Sequence, residues 1–347
     1  MRIRYEQEKD IISNVLTSLG ANDEEARVSA EVLAEGDVRG FTSHGISRLS
    51  NMIRKIKSGK IKTNVKIKIT ENLPAVALVD GNHGLGHPVA LEAMKISIQK
   101  AKSYGISSVG IYNTSHFGIA GYYVEQAMKE NLIGIVSCTT DPMVHPFGGG
   151  QRLFGTNPIA IGIPHKKHPI LLDMATSTAS AGKIGEFRKM GKEIPAGWGV
   201  DKNGNPTTIP KAALAGALSP FGGYKGSGLS FIIAILAGPL VNAEYGSRVK
   251  GDYEIDKYAT KGDFMITINP EAFVSRKDLE KHIEHFIDEL KSSPNALGSD
   301  EILYPGEREY RTRRNQLETG INLPDWIWSD VEATAKEFGL EKNLLLT

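Results

Sequence analysis

Ala75-Val76-Ala77-Leu78-Val79-Asp80-Gly81-Asn82-His83-Gly84-Leu85-Gly86-His87-Pro88-Val89 is the stretch that sets the fold class. Its first six residues are an apolar run with no polar alternation, the pattern of a strand covered on both faces. Gly81, Gly84 and Gly86 follow, and then a helix over Val89 to Lys102. A strand, a glycine turn and a helix also open a dinucleotide-binding fingerprint. Here Val89 replaces the third glycine, Pro88 stiffens the loop, and no acidic residue closes a following strand roughly 20 residues on. The glycines therefore read as a tight strand-to-helix turn, and the topology as something other than a Rossmann fold.

Outward from this stretch the alternation continues. Strands are predicted at Ser108 to Tyr112, Ile133 to Thr139, Ile159 to Ile163, Ile170 to Asp173 and Asp263 to Ile268. Helices are predicted at Ala120 to Lys129, Gly228 to Ala237 and Asp278 to Leu290. Alternating strands and helices predict an α/β class with a layered, mostly parallel sheet of non-Rossmann topology. On the N-terminal side, Ile11, Ile12, Val15, Leu16 and Leu19 recur at helical spacing. Asn22-Asp23-Glu24-Glu25 has the form of a helix cap with its glutamate three residues on. The expected organisation is an N-terminal helical domain over residues 1–70, with the tail 305–347 packing back on it. Residues 71–304 form the α/β core, with a loop-rich insertion at about 185–215.

The 347 residues suffice for two or three lobes, and 40% hydrophobic and 23% charged content is ordinary for a globular protein. A net charge of +1 gives no argument for a nucleic-acid partner or an anionic membrane. The single cysteine, Cys138, excludes an internal disulfide framework and a thiolate zinc cluster. The longest apolar run, Leu229 to Val241, is broken by Gly238-Pro239 and falls short of the roughly 20 residues of a bilayer span. The first residues lack the apolar stretch of a signal peptide. The expectation is a cytoplasmic protein without a membrane segment and without a metal.

Four clusters can carry chemistry. His116 stands in Asn113-Thr114-Ser115-His116-Phe117-Gly118-Ile119-Ala120-Gly121, where a strand ends and a helix starts near Ala120. Its near-neutral pKa suits proton transfer, while a buried histidine satisfied by backbone is the plain alternative. In Ser43-His44-Gly45-Ile46-Ser47-Arg48, His44 and Arg48 would share one face of a helix. There Arg48 either clamps a carboxylate or makes a surface ion pair. Asp173-Met174-Ala175 follows a buried strand. Gly222-Gly223-Tyr224-Lys225-Gly226-Ser227-Gly228 precedes an apolar helix and reads as an anion site or as a structural turn.

Taken in order, further motifs join these: Asp37-Val38-Arg39-Gly40, Pro146-Phe147-Gly148-Gly149, Gly155-Thr156-Asn157-Pro158 and Pro305-Gly306-Glu307. Over roughly residues 10 to 310 the ordered set resembles the malate/L-lactate dehydrogenase family that is unrelated to the Rossmann lactate dehydrogenases. Within it, the chain is most similar to the archaeal L-2-hydroxycarboxylate dehydrogenases acting on sulfolactate and malate. The segment Gly182 to Val200 matches only loosely. The resemblance implies a homodimer that interconverts a small 2-oxo acid and its L-2-hydroxy acid with NAD or NADP. It implies His116 and His44 as the proton-transfer pair, beside Ser43, and Arg48 as the carboxylate clamp. It sets the cofactor against Thr140, Asp173, Met174, Ala175, Lys225, Gly226, Pro305, Gly306 and Glu307. A non-catalytic nucleotide- or acid-binding protein could use the same glycine loops and Arg48, but has no need of histidines at the centre. A metal-dependent hydrolase would need clustered carboxylates, and none are evident in sequence.

Overall fold

The computed structural model describes residues 1–251 and 253–344; the last three residues of the expected 305–347 tail lie outside them. A short strand β1 (Arg2–Ile3) leads into α1 (Tyr5–Ser18), which buries Ile11, Ile12, Val15 and Leu16. α2 (Asp23–Val38) begins at the cap the spacing predicts. The Glu25 N–H donates to Asn22 Oδ1 at 2.9 Å, and the Asn22 N–H donates back to the Glu25 carboxylate. α3 (Leu49–Lys57) completes this group.

The core runs β2 (Lys68–Leu73), β3 (Val76–Gly84), α4 (Gly86–Tyr104), β4 (Ile106–Thr114), α5 (Ala120–Lys129), β5 (Ile133–Cys138), β6 (Ile159–Ile163) and β7 (Ile170–Met174). Then come α6 (Ala181–Lys189), β8 (Gly199–Val200), α7 (Pro210–Ala215), β9 (Ala217–Leu218), α8 (Tyr224–Leu236), β10 (Asp263–Ile268) and α9 (Arg276–Ser292). The chain returns through α10 (Glu307–Thr319), β11 (Ile321–Asn322) and α11 (Asp325–Glu337).

The main sheet has seven strands in the order β2-β3-β4-β10-β5-β6-β7, and only β3 and β4 pair in parallel. This corrects the expectation of a mostly parallel sheet. The reason lies in β10, which arrives more than a hundred residues late and slots between β4 and β5, antiparallel to both. β4 and β5 therefore do run in the same direction, as a strand-helix-strand unit requires, but they are not neighbours. β5, β6 and β7 then pair antiparallel in sequence order.

Three apolar clusters hold the molecule. One lies where α4 and α5 cover the sheet, and it takes in Val28 and Val32 from α2. A second joins α1, α2 and α3 to Ile321, Leu323, Ile327, Val331 and Ala335 of the C-terminal segment. α2 is thus apolar on two faces, and it fixes the N-terminal helices onto the sheet. The third gathers Val144, Phe154, Ile184, Ile194, Ala213 and Leu218, so the loop-rich segment near 185–215 carries a small core of its own.

Candidate active site

His116 lies between β4 and α5, and its orientation is set locally. The Gly118 N–H donates to His116 Nδ1 at 3.1 Å. A backbone N–H can only donate, so Nδ1 holds the lone pair and Nε2 carries the proton of the neutral ring. Gly118 has φ +81°, and a Cβ there would strike Val32, so this turn needs glycine. The Gly84-Leu85-Gly86 turn serves the same segment. A Cβ on Gly86 would sit 2.3 Å from the carbonyl oxygens of Ser115 and His116, and Ser115 Oγ accepts the Gly86 N–H at 2.8 Å. Those glycines make the tight turn from β3 into α4 that the sequence reading expected, and they also let two backbones come together there.

His44 stands across from His116, ring centroids 5.5 Å apart. It is not on a helix: a turn leads into a short 3-10 helix at Ile46–Arg48, then α3. The helix-face argument for His44 and Arg48 is thereby corrected, although Arg48 does lie close enough to depress the His44 pKa. Two contacts fix the pair: Arg48 Nε donates to the Ser43 carbonyl at 2.6 Å, and Ser43 Oγ is 2.9 Å from His44 Nδ1. The loop rests on Asp37 at the end of α2, whose Oδ2 accepts the Ile46 N–H at 2.6 Å. Beside Asp37 lies the Glu8 carboxyl of α1; both are fully buried, and neither Glu8 oxygen nor Asp37 Oδ1 has a hydrogen-bond partner. Burial pushes both acids up, Glu8 well above its ordinary value and Asp37 to about 7; Asp37 raises Glu8 further, while Glu8 and the Ile46 N–H pull Asp37 part of the way back down.

His44, His116 and Ser43 line a cavity of about 280 Å³ with Thr140, Asp173, Met174, Ala175 and Lys261. Burial, first of all, lowers the His44 pKa to about 3 and that of His116 well below 6.5, with Arg48 adding to both. Both rings are therefore neutral in the free protein. Burial raises Asp173 to about 6, while the Gly121 N–H at the start of α5 donates to its Oδ2 at 2.7 Å and works the other way. A second groove, about 340 Å³, shares Phe41 and Asp173 with the first and is lined by Pro305 and Gly306. The two make one elongated run.

Glu307 opens α10, but its carboxylate is paired with Lys291 and Arg311, which hold its pKa down against burial. Lys225 and Gly226 do not line the run. They sit in the first turn of α8, with Lys225 exposed and Gly226 packed on the Phe221 carbonyl. That loop docks on the strand-end segment, since the Phe221 N–H donates to the Thr176 carbonyl at 3.0 Å.

The sequence reading missed Lys261 and His87. Lys261 is buried, ion-paired with Asp263, and its ammonium lies 4.5 Å from the Phe117 ring centroid. His87 is buried with neither ring nitrogen hydrogen-bonded, 6.5 Å from His116 between centroids. The usable signal was a lysine two residues before an aspartate at the start of an apolar strand, a spacing that puts both on one face. Among the described residues no group of three or more His, Cys, Asp or Glu is placed to hold a metal ion. A larger cavity, about 590 Å³, lies elsewhere, but its charges pair with one another: Arg39 with Glu35 and Glu125, and Arg313 with Glu35.

The profile of the malate/L-lactate dehydrogenase family matches residues 3–332. The malate/(S)-sulfolactate dehydrogenase of Methanothermus fervidus is 43% identical over 341 residues, 98% of this chain and 99% of that one. The solved sulfolactate dehydrogenase of Methanocaldococcus jannaschii superposes with a TM-score of 0.92 at 41% identity, covering 98% of each chain. The NAD(+) ureidoglycolate dehydrogenase of Escherichia coli O157:H7 is 35% identical over 94% of each.

Proposed function

The chain belongs to the malate/L-lactate dehydrogenase family, and from that premise we propose that it is an NAD- or NADP-dependent L-2-hydroxycarboxylate dehydrogenase acting on a small dicarboxylate-like acid such as malate or sulfolactate. The observation that carries the proposal is the pairing of His116 and His44 on a cavity that runs on past Asp173 to Pro305 and Gly306, with Arg48, which does not itself line the cavity, near enough to act on both rings. An elongated, largely apolar run with a few polar groups suits an extended dinucleotide beside a small acid. Asp173, Met174, Ala175, Thr140, Pro305 and Gly306 would hold it, with Lys225 and the backbone N–H groups of the α8 N-terminus near its phosphates. When bound, the cofactor supplies the hydride and accepts it back.

The protein's own part is positioning and proton handling. Arg48, its Nε engaged by Ser43, presents a planar cation to the substrate carboxylate and so sets which carbonyl face is offered. His116 offers its Nε2–H to the 2-oxo oxygen. Substrate anion in the cavity favours the imidazolium, whose added Nδ1 proton displaces the Gly118 N–H from that nitrogen; the imidazolium gives its Nε2 proton to the oxygen as negative charge grows there and is left as the neutral Nδ1–H ring. His44, neutral and adjacent, keeps a second like charge away from it. The reading includes a homodimer: Phe231, Ile232 and Ile235 on α8, with Leu240 just beyond, form an exposed apolar face that suits a second copy. One helical window, Tyr224–Val241, has a mean hydropathy of 1.4. α8 itself ends at Leu236, and its 13 residues span about 20 Å, short of a bilayer core. The reading includes a cytoplasmic location.

The test is direct. The protein is mixed with NADH or NADPH and a 2-oxo diacid, and the cofactor absorbance is followed. Loss of absorbance that depends on both partners supports the dehydrogenase. A change in cofactor fluorescence without turnover makes the protein a binder and refutes the proposal.

A further inference from the structure

His116 lies between two cations. On one side are Arg48 and His44, the latter 5.5 Å away. On the other are Lys261 and His87: Gly118, two residues on, packs against His87, and the Lys261 ammonium lies over the ring of Phe117, the next residue. The electrostatics follow the same order, with Arg48 acting on His44 and His116, and Lys261 acting on His116 and His87.

Lys261 is an unusual core residue. It is 4% exposed and bound to Asp263, which is fully buried. A buried ion pair contributes little net stability, because desolvation offsets most of the attraction. An apolar pair would serve the start of a central strand at least as well. Lys261 also lines the cavity that holds His44 and His116. An ammonium has three donors, and Asp263 Oδ1 accepts one. Both nitrogens of His87 and the other oxygen of Asp263 have no hydrogen-bond partner. This end of the cavity therefore holds a fixed cation with polar capacity to spare.

We propose that Lys261 is a specificity-determining residue that receives the second anionic group of a dianionic 2-oxo acid, while Arg48 takes the carboxylate next to the carbonyl. The inference rests on the dehydrogenase reading above. It makes Asp263 a positioning residue that keeps the ammonium charged and directed. A sulfonate or a carboxylate at the distal position would each satisfy it, since both present anionic oxygens to the same donors.

The probes are oxaloacetate, a dianion, and 2-oxobutyrate, in which a methyl group replaces the distal carboxylate. Wild type is expected to prefer oxaloacetate in kcat/KM. The double variant Lys261→Met/Asp263→Asn removes both charges together, so no lone anion is left buried. Its preference should fall by about 10- to 100-fold, mainly through KM for oxaloacetate. Lys261→Gln, which keeps length and a donor without charge, is the second variant and should show the same fall. Cofactor binding and the thermal melt identify folded protein. An unchanged preference in either folded variant overturns the inference, as does an equal fall on both acids through kcat. A wild type that reduces only 2-oxobutyrate also overturns it and leaves the dehydrogenase standing. Reduction of neither acid with either cofactor overturns the dehydrogenase reading itself.

Discussion

Replacing Glu8 by glutamine should change how the stability of the protein depends on pH. In the folded state Glu8 and Asp37 are buried together, and burial pushes Asp37 from 3.8 to about 7 and Glu8 well above 4.5. An unfolded chain releases both protons near their ordinary values of about 4. Above those values the folded state binds more protons than the unfolded state, so stability falls as pH rises. At about 1.36 kcal/mol per pH unit, the Asp37 displacement alone, from 3.8 to about 7, amounts to about 4 kcal/mol. Glutamine cannot ionise, so the variant loses the part of this dependence that belongs to Glu8, while burial still holds Asp37 up. The assay is urea unfolding of wild type and Glu8→Gln at several pH values from about 5 to about 8. The variant should gain on wild type steadily across that range, by about 1.4 kcal/mol per pH unit for the one proton removed. Two stability curves that run parallel would refute a protonated, buried Glu8.

Three further outcomes are expected. His116→Asn should lower kcat by about two decades or more, with cofactor Kd nearly unchanged, because the ring acts on charge that develops in the transition state; near-normal turnover would move the proton to His44. Arg48→Lys should raise KM for every 2-oxo acid by an amount equivalent to about 1.5–3 kcal/mol, since an ammonium lacks the planar two-bond grip; an unchanged KM across a panel of acids would take Arg48 out of the site. Lys225→Ala should raise the cofactor Kd severalfold in fluorescence titration, with a salt-sensitive part, whereas Gly84→Ala should act on stability, because its Cβ would meet Val65 Cγ2 at 2.4 Å; equal cofactor affinity in wild type and Lys225→Ala would remove the phosphates from the α8 end.

Much of this was legible because it is local. The helix cap at Asn22, the strand and glycine turn around Gly84, and the histidine run at 116 each depend on residues within a few positions of one another. What sequence pattern could not supply was the place of β10. Strand and helix alternation sets the direction of β4 and β5 but says nothing of a strand added between them from far along the chain. That one long-range pairing accounts for both gaps in the reading. It makes the sheet mostly antiparallel, and it carries Lys261, two residues before Asp263, to the cavity beside His116. Arg48 was found by its spacing to His44, but for a helix that does not form there. Their proximity comes from a turn anchored on Asp37, whose role depends on Glu8, twenty-nine residues earlier on another helix.

The pairing of β1 with β11 sets an order of assembly. Ile3 is opposite Ile321, the Met1 ammonium donates to the Leu323 carbonyl at 2.9 Å, and Arg54 reaches Thr334 at 2.8 Å. The helices made first on the ribosome therefore have no complete partner until residues beyond 320 have emerged. Contacts so distant in sequence form late. Through most of synthesis, the turn bearing His44 and Arg48 rests on helices whose apolar flank is still bare, and such a flank invites chaperones or aggregation. Catalytic competence then arises as one of the last events of folding. A chain stopped before α11 would have every residue of the cavity and lack the scaffold that sets two of them.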